Sequence, residues 1–313
     1  ETAIASKLLW AAARREYDLV HSCLYGAHVA DAVICALVGQ PFVKSTRNNG
    51  HWNTGTARIR WQVALRAKLV RHHVANSSGV MEYLVARERI SAAAIHVIPN
   101  GIEDRVNEGP YFSRAEFGFA EQDFVMVSLA WLKPRKYVEF LIATLPQIRQ
   151  LCHGAKLLIV GNGPLEEELK RKARDLGVAD ACVFVGRQSA PHALLRFADI
   201  MVSASPFEGM SNALLEAQMM GVPAIVTAEA AGNKEVIKHG VNGLLYPAFD
   251  AKSFTESVTA LALNPYLRSV YSNAARQSYE SAFSIDVQVR QYAEHYTSIL
   301  GAASRAAHAH TDV

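Results

Sequence analysis

Residues 203–221 read SASPFEGMSNALLEAQMMG, and they begin at the end of an apolar run, IMVS at 200–203, that is typical of a buried strand. Apolar residues then recur at the spacing of one helix face: Ala213, Leu214, Ala217 and Met220. Ser211 or Asn212 can cap this helix, which we expect to begin within 209–212. The stretch therefore predicts a strand, a short glycine-containing loop and a helix, which together make one βα unit.

Similar units follow one another along the chain, since short apolar runs alternate with amphipathic segments of roughly 10 to 18 residues. Before residue 100 the expected strands lie at 18–23, 42–46, 74–76 and 96–98, and the expected helices at 27–38, 57–72 and 79–88. After residue 120 six further strands are expected, at 124–129, 156–160, 182–185, 200–203, 224–227 and 243–246. Repeated βα units predict an α/β fold with parallel sheets.

The polar stretch 103–110 contains glycine and proline and has no apolar period, which is typical of a linker. We therefore predict two doubly wound domains, at 1–107 and 108–283. A long amphipathic stretch follows the second domain, and we expect a helix at 284–303 that packs back onto the first domain.

Composition and charge exclude several classes of protein. The chain has 313 residues, of which 50% are hydrophobic, and its net charge of +3 is far below the concentrated positive charge that nucleic-acid binding usually needs. The four cysteines are widely spaced and are expected to be reduced core thiols: Cys23, Cys35, Cys152 and Cys182. No apolar run reaches the ~18 residues of a membrane-spanning helix. We therefore expect a cytoplasmic protein that binds no nucleic acid.

Two glutamates in the stretch 203–221 suggest a ligand. Glu208 lies in the expected loop and Glu216 about one turn inside the helix. The free N–H groups at the helix start form an anion site, where Gly209 and Ser211 are small enough for a diphosphate to approach the backbone. A carboxylate accepts two hydrogen bonds, which suits the paired hydroxyls of a ribose. The arrangement favours a nucleotide-sugar site, and the alternative is that both glutamates merely solvate a loop and a helix face.

With its surroundings, this stretch resembles the family 4 glycosyltransferases, whose signature is a glutamate, seven residues and a second glutamate, as Glu208 and Glu216 stand here. Nearly the whole chain takes part, and the further motifs run in order: IPNGI at 98–102, LIVGNGP at 158–164, VFVG at 183–186, AD at 198–199, GVPAIV at 221–226 and HGVNGLL at 239–245. The resemblance implies a GT-B fold, in which two Rossmann-like domains face each other across a cleft. It also implies an acceptor-binding first domain, a donor-binding second domain and sugar transfer with retention of anomeric configuration.

The resemblance assigns roles to individual residues. It implies that Glu208 contacts the hydroxyls of the donor sugar, that Glu216 contacts the ribose and that Lys136 neutralises the diphosphate. The donor site is expected to include the turn at Gly161 and the loop residues that precede and start the helix: Gly209, Met210, Ser211 and Asn212. No metal-ligand spacing occurs in the sequence, so we expect neither a metal nor another cofactor.

The match departs from the family pattern at three positions. Trp131 stands where the family usually has an arginine, and Tyr137 where a glycine commonly follows the lysine. We hypothesise that Arg135 replaces the missing phosphate-binding arginine. Arg47 follows the strand at 42–46, where many relatives have a histidine, and it can bind a phosphate or acceptor oxygen.

His21 and His28 are further candidates for the corner near Arg47, although a lone histidine is more often structural. The family's first strand and glycine-rich loop are absent from the front of the chain, so we expect the chain to be part of a longer protein. The basic residues from Arg58 to His73 alternate with apolar ones, which suits either a helix on an anionic membrane or an ordinary solvated helix.

The sequence therefore predicts a transferase that moves a sugar from a nucleotide donor to a saccharide or lipid-linked acceptor, in the synthesis of surface polysaccharide or glycoconjugate. Two alternatives remain at this point. One is a nucleotide-sugar 2-epimerase of the same fold, and the other is a non-catalytic module that binds a nucleotide sugar.

Overall fold

The computed structural model describes residues 11, 14, 16–23, 28–47, 65 and 67–309, with the backbone alone at 28, 29 and 303–309. The chain forms two compact units. The first comprises Glu1–Asn100 together with Asp286–Val313, and the second comprises Gly101–Ile285.

The first unit contains a four-stranded parallel sheet in the order β1-β2-β3-β4. Its described strands are β1 (Val20–Ser22), β2 (Phe42–Thr46), β3 (His72–Ala75) and β4 (Ile95–Val97). Its described helices are α1 (His28–Val38), α2 (Ser78–Glu88) and, at the carboxyl end, α9 (Ile285–Ala309). Helix α9 packs Ile299, Tyr292 and Tyr296 against Val43 and Val74 of the sheet.

The second unit contains a six-stranded parallel sheet in the order β10-β9-β8-β5-β6-β7. The strands are β5 (Phe124–Leu129), β6 (Ala155–Val160), β7 (Cys182–Phe184), β8 (Ile200–Ser203), β9 (Ala224–Thr227) and β10 (Gly243–Tyr246). The helices are α3 (Val138–Leu151), α4 (Glu166–Asp175), α5 (Asn212–Met219), α6 (Ala231–Val236), α7 (Ala251–Ala262) and α8 (Pro265–Ser278). The chain runs outward from β5 to β7 and then returns to the other side of β5, so the strand order reverses between β5 and β8.

Both faces of this second sheet are buried, because successive side chains of a strand point to opposite sides. Phe124 and Met126 belong to one core, with α3 and α7. Val125 and Val127 belong to the other, with α5. This two-sided burial explains why the strands read as short, nearly continuous apolar runs.

Most predicted elements of the second unit agree with the structure, and four of its six strands have the predicted bounds. The prediction was wrong at β3, because the strand begins at His72, whereas we expected a helix through 57–72 and a strand at 74–76. Two consecutive histidines resemble the polar end of a helix, yet His73 is completely buried and bonds the Val70 carbonyl. Residues 51–64 and 66, which include most of the expected basic helix, lie outside the described residues.

The division between the units also differs from the expected boundary at 107/108, since it falls between Asn100 and Gly101. The polar stretch 103–110 belongs to the second unit because Arg196 donates hydrogen bonds to the carbonyl oxygens of Val106 and Pro110. Arg276 holds the same stretch through an ion pair with Asp104. Polar composition is typical of a linker, but here arginines far along the chain bind carbonyl groups of the stretch and the carboxylate of Asp104.

In the part of the chain that the structure describes, no helix has both the length and the apolar character required to cross a membrane.

Four histidines surround the contact between α9 and the first sheet. His295 of α9 stacks on His96 with 4.6 Å between ring centroids, and its ring lies 6.5 Å from that of His72. His21 hydrogen-bonds Tyr296 Oη at 2.6 Å and Ser45 Oγ at 2.7 Å. Burial, and the positive charge that His96, His72 and His21 can carry, lower the pKa of His295 to about 4. This contact therefore disfavours the protonated form of His295.

We expect the contribution of His295 to the free energy of unfolding to decrease as the pH is lowered from 6.5 to 4. In this range the unfolded chain binds a proton at His295 and the folded chain does not, so this contribution falls with falling pH. His295→Gln removes this titration, and between pH 7.5 and pH 5 it should lose less stability than the native chain, by on the order of 1 kcal/mol. Urea unfolding at the two pH values measures the difference. The control is His153→Gln, at an exposed histidine; a His295 variant with the native pH dependence would contradict the account.

Candidate functional site

The candidate site lies at the carboxyl edge of the second sheet, where the strand order reverses. In open α/β sheets a ligand binds at such a reversal because the loops on its two sides diverge and leave a crevice. A cavity of about 620 Å³ opens here. It is lined by residues from the loops after β5, β6 and β7 and from α5: Leu129, Ala130, Trp131, Val160, Gly161, Asn162, Arg187, Gln188, Pro191, Ala213 and Glu216. Its size suits a nucleotide.

The floor of the cavity requires a glycine at 161. A Cβ atom added there would lie 2.0 Å from the carbonyl oxygen of Ala130, and the φ angle is +133°. The loops after β5 and β6 are therefore in direct backbone contact, which hydrogen bonds from Ala130 N to Val160 O and from Leu132 N to Asn162 O secure. The predicted donor-site residue Gly161 thus lines the cavity, and its lack of a side chain is what allows the two loops to meet.

Helix α5 begins at Asn212, as the sequence predicts, and Ser211 caps it by accepting a hydrogen bond from Leu214 N. Ala213 and Glu216 lie on the same face of the helix and both line the cavity. Ahead of the helix, a Cβ atom at Gly232 would lie 2.1 Å from the carbonyl oxygen of Gly209, so the loop is packed against α6.

The structure places the side chain of Met210 in the core of the second unit, where it is 7% exposed. A ligand at the helix start can therefore meet only the backbone of Met210. The sequence could not show whether the Met210 side chain faces the donor or the core, because methionine occurs in both environments.

Glu216 is the ionisable side chain that lines the cavity from the helix. Burial raises the pKa of its carboxyl to about 7, and the positive charge of Arg105 opposes this rise. Arg105 lies in the polar stretch 103–110, where its guanidinium pairs with Glu103 at 2.6 Å. Carboxyl groups with a pKa near neutrality are common at ligand sites. A buried carboxyl group ionises readily only when a bound partner compensates for the burial of its charge.

Lys136 and Glu208 form an ion pair, although 72 residues separate them in the sequence. Lys136 ends a short 3-10 turn (Pro134–Lys136) after β5, and Glu208 lies in the loop after β8. Their side chains are only 20% and 16% exposed. The structure therefore brings together the two residues that the sequence assigned to the diphosphate and to the sugar.

A buried hydroxyl chain holds Glu208 in place. Ser205, which is 1% exposed, donates a hydrogen bond of 2.9 Å from its Oγ to Glu208 Oε1. The Ser205 carbonyl in turn accepts a hydrogen bond of 2.9 Å from Thr227 Oγ1 at the end of β9. Sequence reasoning missed Ser205 and Thr227, since neither has a signal apart from its position at a strand end.

The departures from the family pattern have structural counterparts. Trp131 is 55% exposed and lines the cavity, and Lys133 Nζ lies 3.1 Å from its ring centroid. The ammonium group of Lys133 therefore lies at the cavity wall, where a cation–π contact with Trp131 holds it. The arginine that the family usually has at this position is absent. Arg135 lies in the same 3-10 turn as Lys136. Arg47 belongs to the first unit, where it follows β2 and is exposed.

Tyr137 has a left-handed backbone, with φ of +50°, between the 3-10 turn and α3. Glycine adopts this conformation without strain, which explains why a glycine commonly follows the family lysine. His21 bonds Tyr296 and Ser45 within the first unit, as a structural histidine would. The side chain of His28 lies outside the described residues.

Comparisons with known proteins agree with this architecture. The family model for Glycosyl transferases group 1 matches residues 112–278, and the model for Glycosyltransferase Family 4 matches residues 2–106. The chain is 30% identical, over 230 residues, to a GDP-mannose-dependent alpha-(1-6)-phosphatidylinositol monomannoside mannosyltransferase of Mycobacterium tuberculosis, covering 66% of this chain and 58% of the relative. It is 29% identical to an N-acetyl-alpha-D-glucosaminyl L-malate synthase of Bacillus anthracis, covering 66% and 54%.

Among solved structures, Anabaena Alr3699/HepE in complex with UDP superposes with a TM-score of 0.84 at 21% identity, covering 95% of this chain and 82% of that protein. The chain spans a little over half the length of the two curated relatives. The fold is GT-B, and the chain belongs to the glycosyltransferases of group 1, family 4, as the order of its motifs predicted.

Proposed function

We propose that the chain forms the core of a retaining transferase, which moves a sugar from a nucleotide-sugar donor to a saccharide or lipid-linked acceptor in the synthesis of surface polysaccharide or glycoconjugate. The observation that carries the proposal is the Lys136–Glu208 ion pair, at the same sheet edge as the cavity that Glu216 lines. The relatives support a nucleotide-sugar donor, since one is named for GDP-mannose and a structural neighbour was solved with UDP.

The cavity suits the nucleoside end of the donor. The Glu216 carboxylate would accept hydrogen bonds from both ribose hydroxyls, which compensates for burying its charge. Trp131, Arg187 and Gln188 offer an aromatic face, a cation and an amide along the same wall.

Without a donor, Lys136 and Glu208 neutralise each other. A bound donor would separate the pair: the ammonium would move to the diphosphate and the carboxylate would accept hydrogen bonds from the sugar hydroxyls. The start of α5, at Ser211 and Asn212, would add favourable charge for the phosphates through the helix dipole. Lys136 thus exchanges a carboxylate for the diphosphate, and Glu208 exchanges an ammonium group for sugar hydroxyls.

The reaction breaks the bond between the anomeric carbon and the diphosphate oxygen and forms a bond from that carbon to the acceptor oxygen, on the same face. The departing diphosphate oxygen takes the proton of the acceptor hydroxyl. Lys136 stabilises the negative charge that develops on the diphosphate, which is the main electrostatic contribution of the described residues. Arg47 would bind an acceptor or phosphate oxygen, and we propose that no metal takes part.

A non-catalytic module that binds a nucleotide sugar is the second candidate, favoured by Trp131 at the cavity wall in place of an arginine. Release of nucleoside diphosphate from a bound donor separates the two candidates, because a module binds without turnover. Activity that persists in excess chelator would support transfer without a metal. Contact with an anionic membrane and a cytoplasmic location stay predictions.

Replacing Lys136 by methionine should lower the turnover number by about 10²- to 10³-fold, since the leaving diphosphate loses a positioned cation. Glu208→Gln should lower turnover less, because an amide still accepts one hydrogen bond from the sugar. The release of nucleoside diphosphate measures both effects. Lys170→Met is the control, at a lysine that pairs with Glu166 and Glu167 on α4; equal loss in the control and in Lys136→Met would refute the assigned role.

Donor affinity should rise as the pH increases from 6 to 8, because Glu216 ionises in this range and hydrogen bonds from the ribose hydroxyls to a carboxylate are stronger than those to a neutral carboxyl group. The contribution of Glu216 to folding has the opposite direction: between pH 4.5 and 7 Glu216 is protonated in the folded chain and ionised in the unfolded chain, so this contribution to the stability falls as the pH rises. Glu216→Gln should bind the donor about tenfold more weakly at pH 8. The same variant should be more stable than the native chain at pH 8, by on the order of 1 kcal/mol.

Calorimetric titration and urea unfolding at both pH values measure these two effects on one variant. A Glu216→Gln protein that binds the donor as tightly as the native chain at pH 8 would show that the carboxylate does not face the ribose.

A further inference from the structure

Two aromatic residues near the candidate site have a backbone conformation that glycine normally adopts. Among the described residues, three other than glycine have positive φ angles, namely Arg89, Tyr137 and Phe249. The rings of Tyr137 and Phe249 touch edge to face, with 4.6 Å between centroids. A residue other than glycine in the left-handed conformation lowers the stability of the fold. Two such residues with their rings in contact therefore indicate that the rings have a function that outweighs this loss.

The neighbouring backbone holds both residues in this conformation. Tyr137 N donates to the Pro134 carbonyl, and the Tyr137 carbonyl accepts from Phe140 N. Next to Phe249, the Ala248 N–H donates to Glu229 Oε2 at 2.8 Å, and Asp250 caps α7 by accepting from Ser253 N. These bonds involve main-chain groups or the neighbouring residues, and none of them requires an aromatic side chain at 137 or 249.

A third ring continues the row. The ring of Phe207 lies 6.5 Å from that of Tyr137, and Phe207 is 43% exposed while Phe249 is 51% exposed. Phe140 supports the row from below, since its ring lies 6.3 Å from that of Phe249 and stacks on the fully buried Tyr246. We call Phe207, Tyr137 and Phe249 the aromatic platform: its base is part of the core and its outer rings face solvent.

The aromatic platform adjoins the charged pair of the candidate site. Tyr137 follows Lys136 in the chain, and Phe207 precedes Glu208. The three rings come from the loops after β5, β8 and β10, whereas the cavity is formed mainly by the loops after β5, β6 and β7. Along the sheet edge, the sequence of features is therefore cavity, charged pair, aromatic platform.

A ligand that fits this surface must offer an apolar face beside hydroxyl groups. A pyranose ring has both, since its C–H bonds form an apolar face and its hydroxyls project from the rim. Aromatic rings bury the apolar face, and a carboxylate and an ammonium bind hydroxyls. A lipid tail would cover the rings but would offer no hydrogen-bonding group to the adjacent Lys136 and Glu208.

We propose that the aromatic platform binds the pyranose ring of the donor sugar and thereby adds to the affinity for the nucleotide sugar over the free nucleotide. This inference rests on the proposed function, because it places the nucleoside in the cavity and the diphosphate at Lys136. The strained backbone at Tyr137 and Phe249 is the stability cost of presenting the rings.

The test compares nucleotide sugars with the corresponding free nucleotides by calorimetric titration, using UDP-glucose, GDP-mannose and ADP-glucose beside UDP, GDP and ADP. Tyr137→Gly and Phe249→Gly remove a ring and also relieve the left-handed backbone. Each should weaken binding of the nucleotide sugar by about three- to tenfold. Binding of the free nucleotide should stay within about twofold of the native value.

Two further variants separate sugar binding from folding. Arg89→Gly relieves the third left-handed residue, in the first unit, and should change neither affinity. Phe207→Leu retains an apolar side chain without the ring and should also weaken binding of the nucleotide sugar alone. The Tm of Tyr137→Gly should stay close to the native value, because the relief of the left-handed strain offsets the loss of the partly buried ring.

The outcomes distinguish this inference from the proposed function. Unchanged affinity for the nucleotide sugar in Tyr137→Gly and Phe249→Gly, or an equal loss for sugar and free nucleotide, overturns the aromatic platform alone. A native chain that binds none of the six nucleotides overturns the proposed function and the platform with it.

Discussion

The reversal of strand order beside β5 is the constraint on which the site depends. Because β8 returns to the free edge of β5, the loops after β5 and β8 meet above adjacent strand ends. This is why Lys136 and Glu208 can pair across 72 residues of sequence. The cavity forms on one side of the reversal, where Gly161 lets two loops touch, and the aromatic rings gather on the other. The buried sheet provides rigid support for all of these side chains.

The unfavourable features of the second unit are concentrated at this edge. A carboxyl with a raised pKa, a poorly exposed ion pair and two left-handed aromatic residues all lie within the loops that follow β5, β8 and β10 or on α5. Each of these features lowers the stability of the fold, and the burial of the cores on both faces of the sheet offsets that loss. Such a concentration is expected of a binding site, since a ligand can supply the partners that the protein withholds.

The sequence predicted the regular part of this molecule well because burial on both faces of a parallel sheet produces continuous apolar runs. The prediction failed at strand β3 because His72 and His73 are polar residues in the sequence, although in the fold their neighbours are Val70 and the histidines of the first unit. The prediction of a linker at 103–110 failed for a related reason, since Arg196 and Arg276 bind this stretch from far along the chain. Glu208, Glu216 and Lys136 could be found by their motif, whereas Ser205, Thr227 and Arg105 act through contacts that leave no local pattern.

The most direct test of the central claim is a crystal structure of the chain with its nucleotide-sugar donor bound. The account predicts the ribose hydroxyls within hydrogen-bond distance of Glu216 and Lys136 Nζ on a diphosphate oxygen. It also predicts that Glu208 leaves Lys136 and accepts hydrogen bonds from the sugar. A donor bound away from the cavity, or a Lys136–Glu208 pair that stays intact beside the bound donor, would contradict the account.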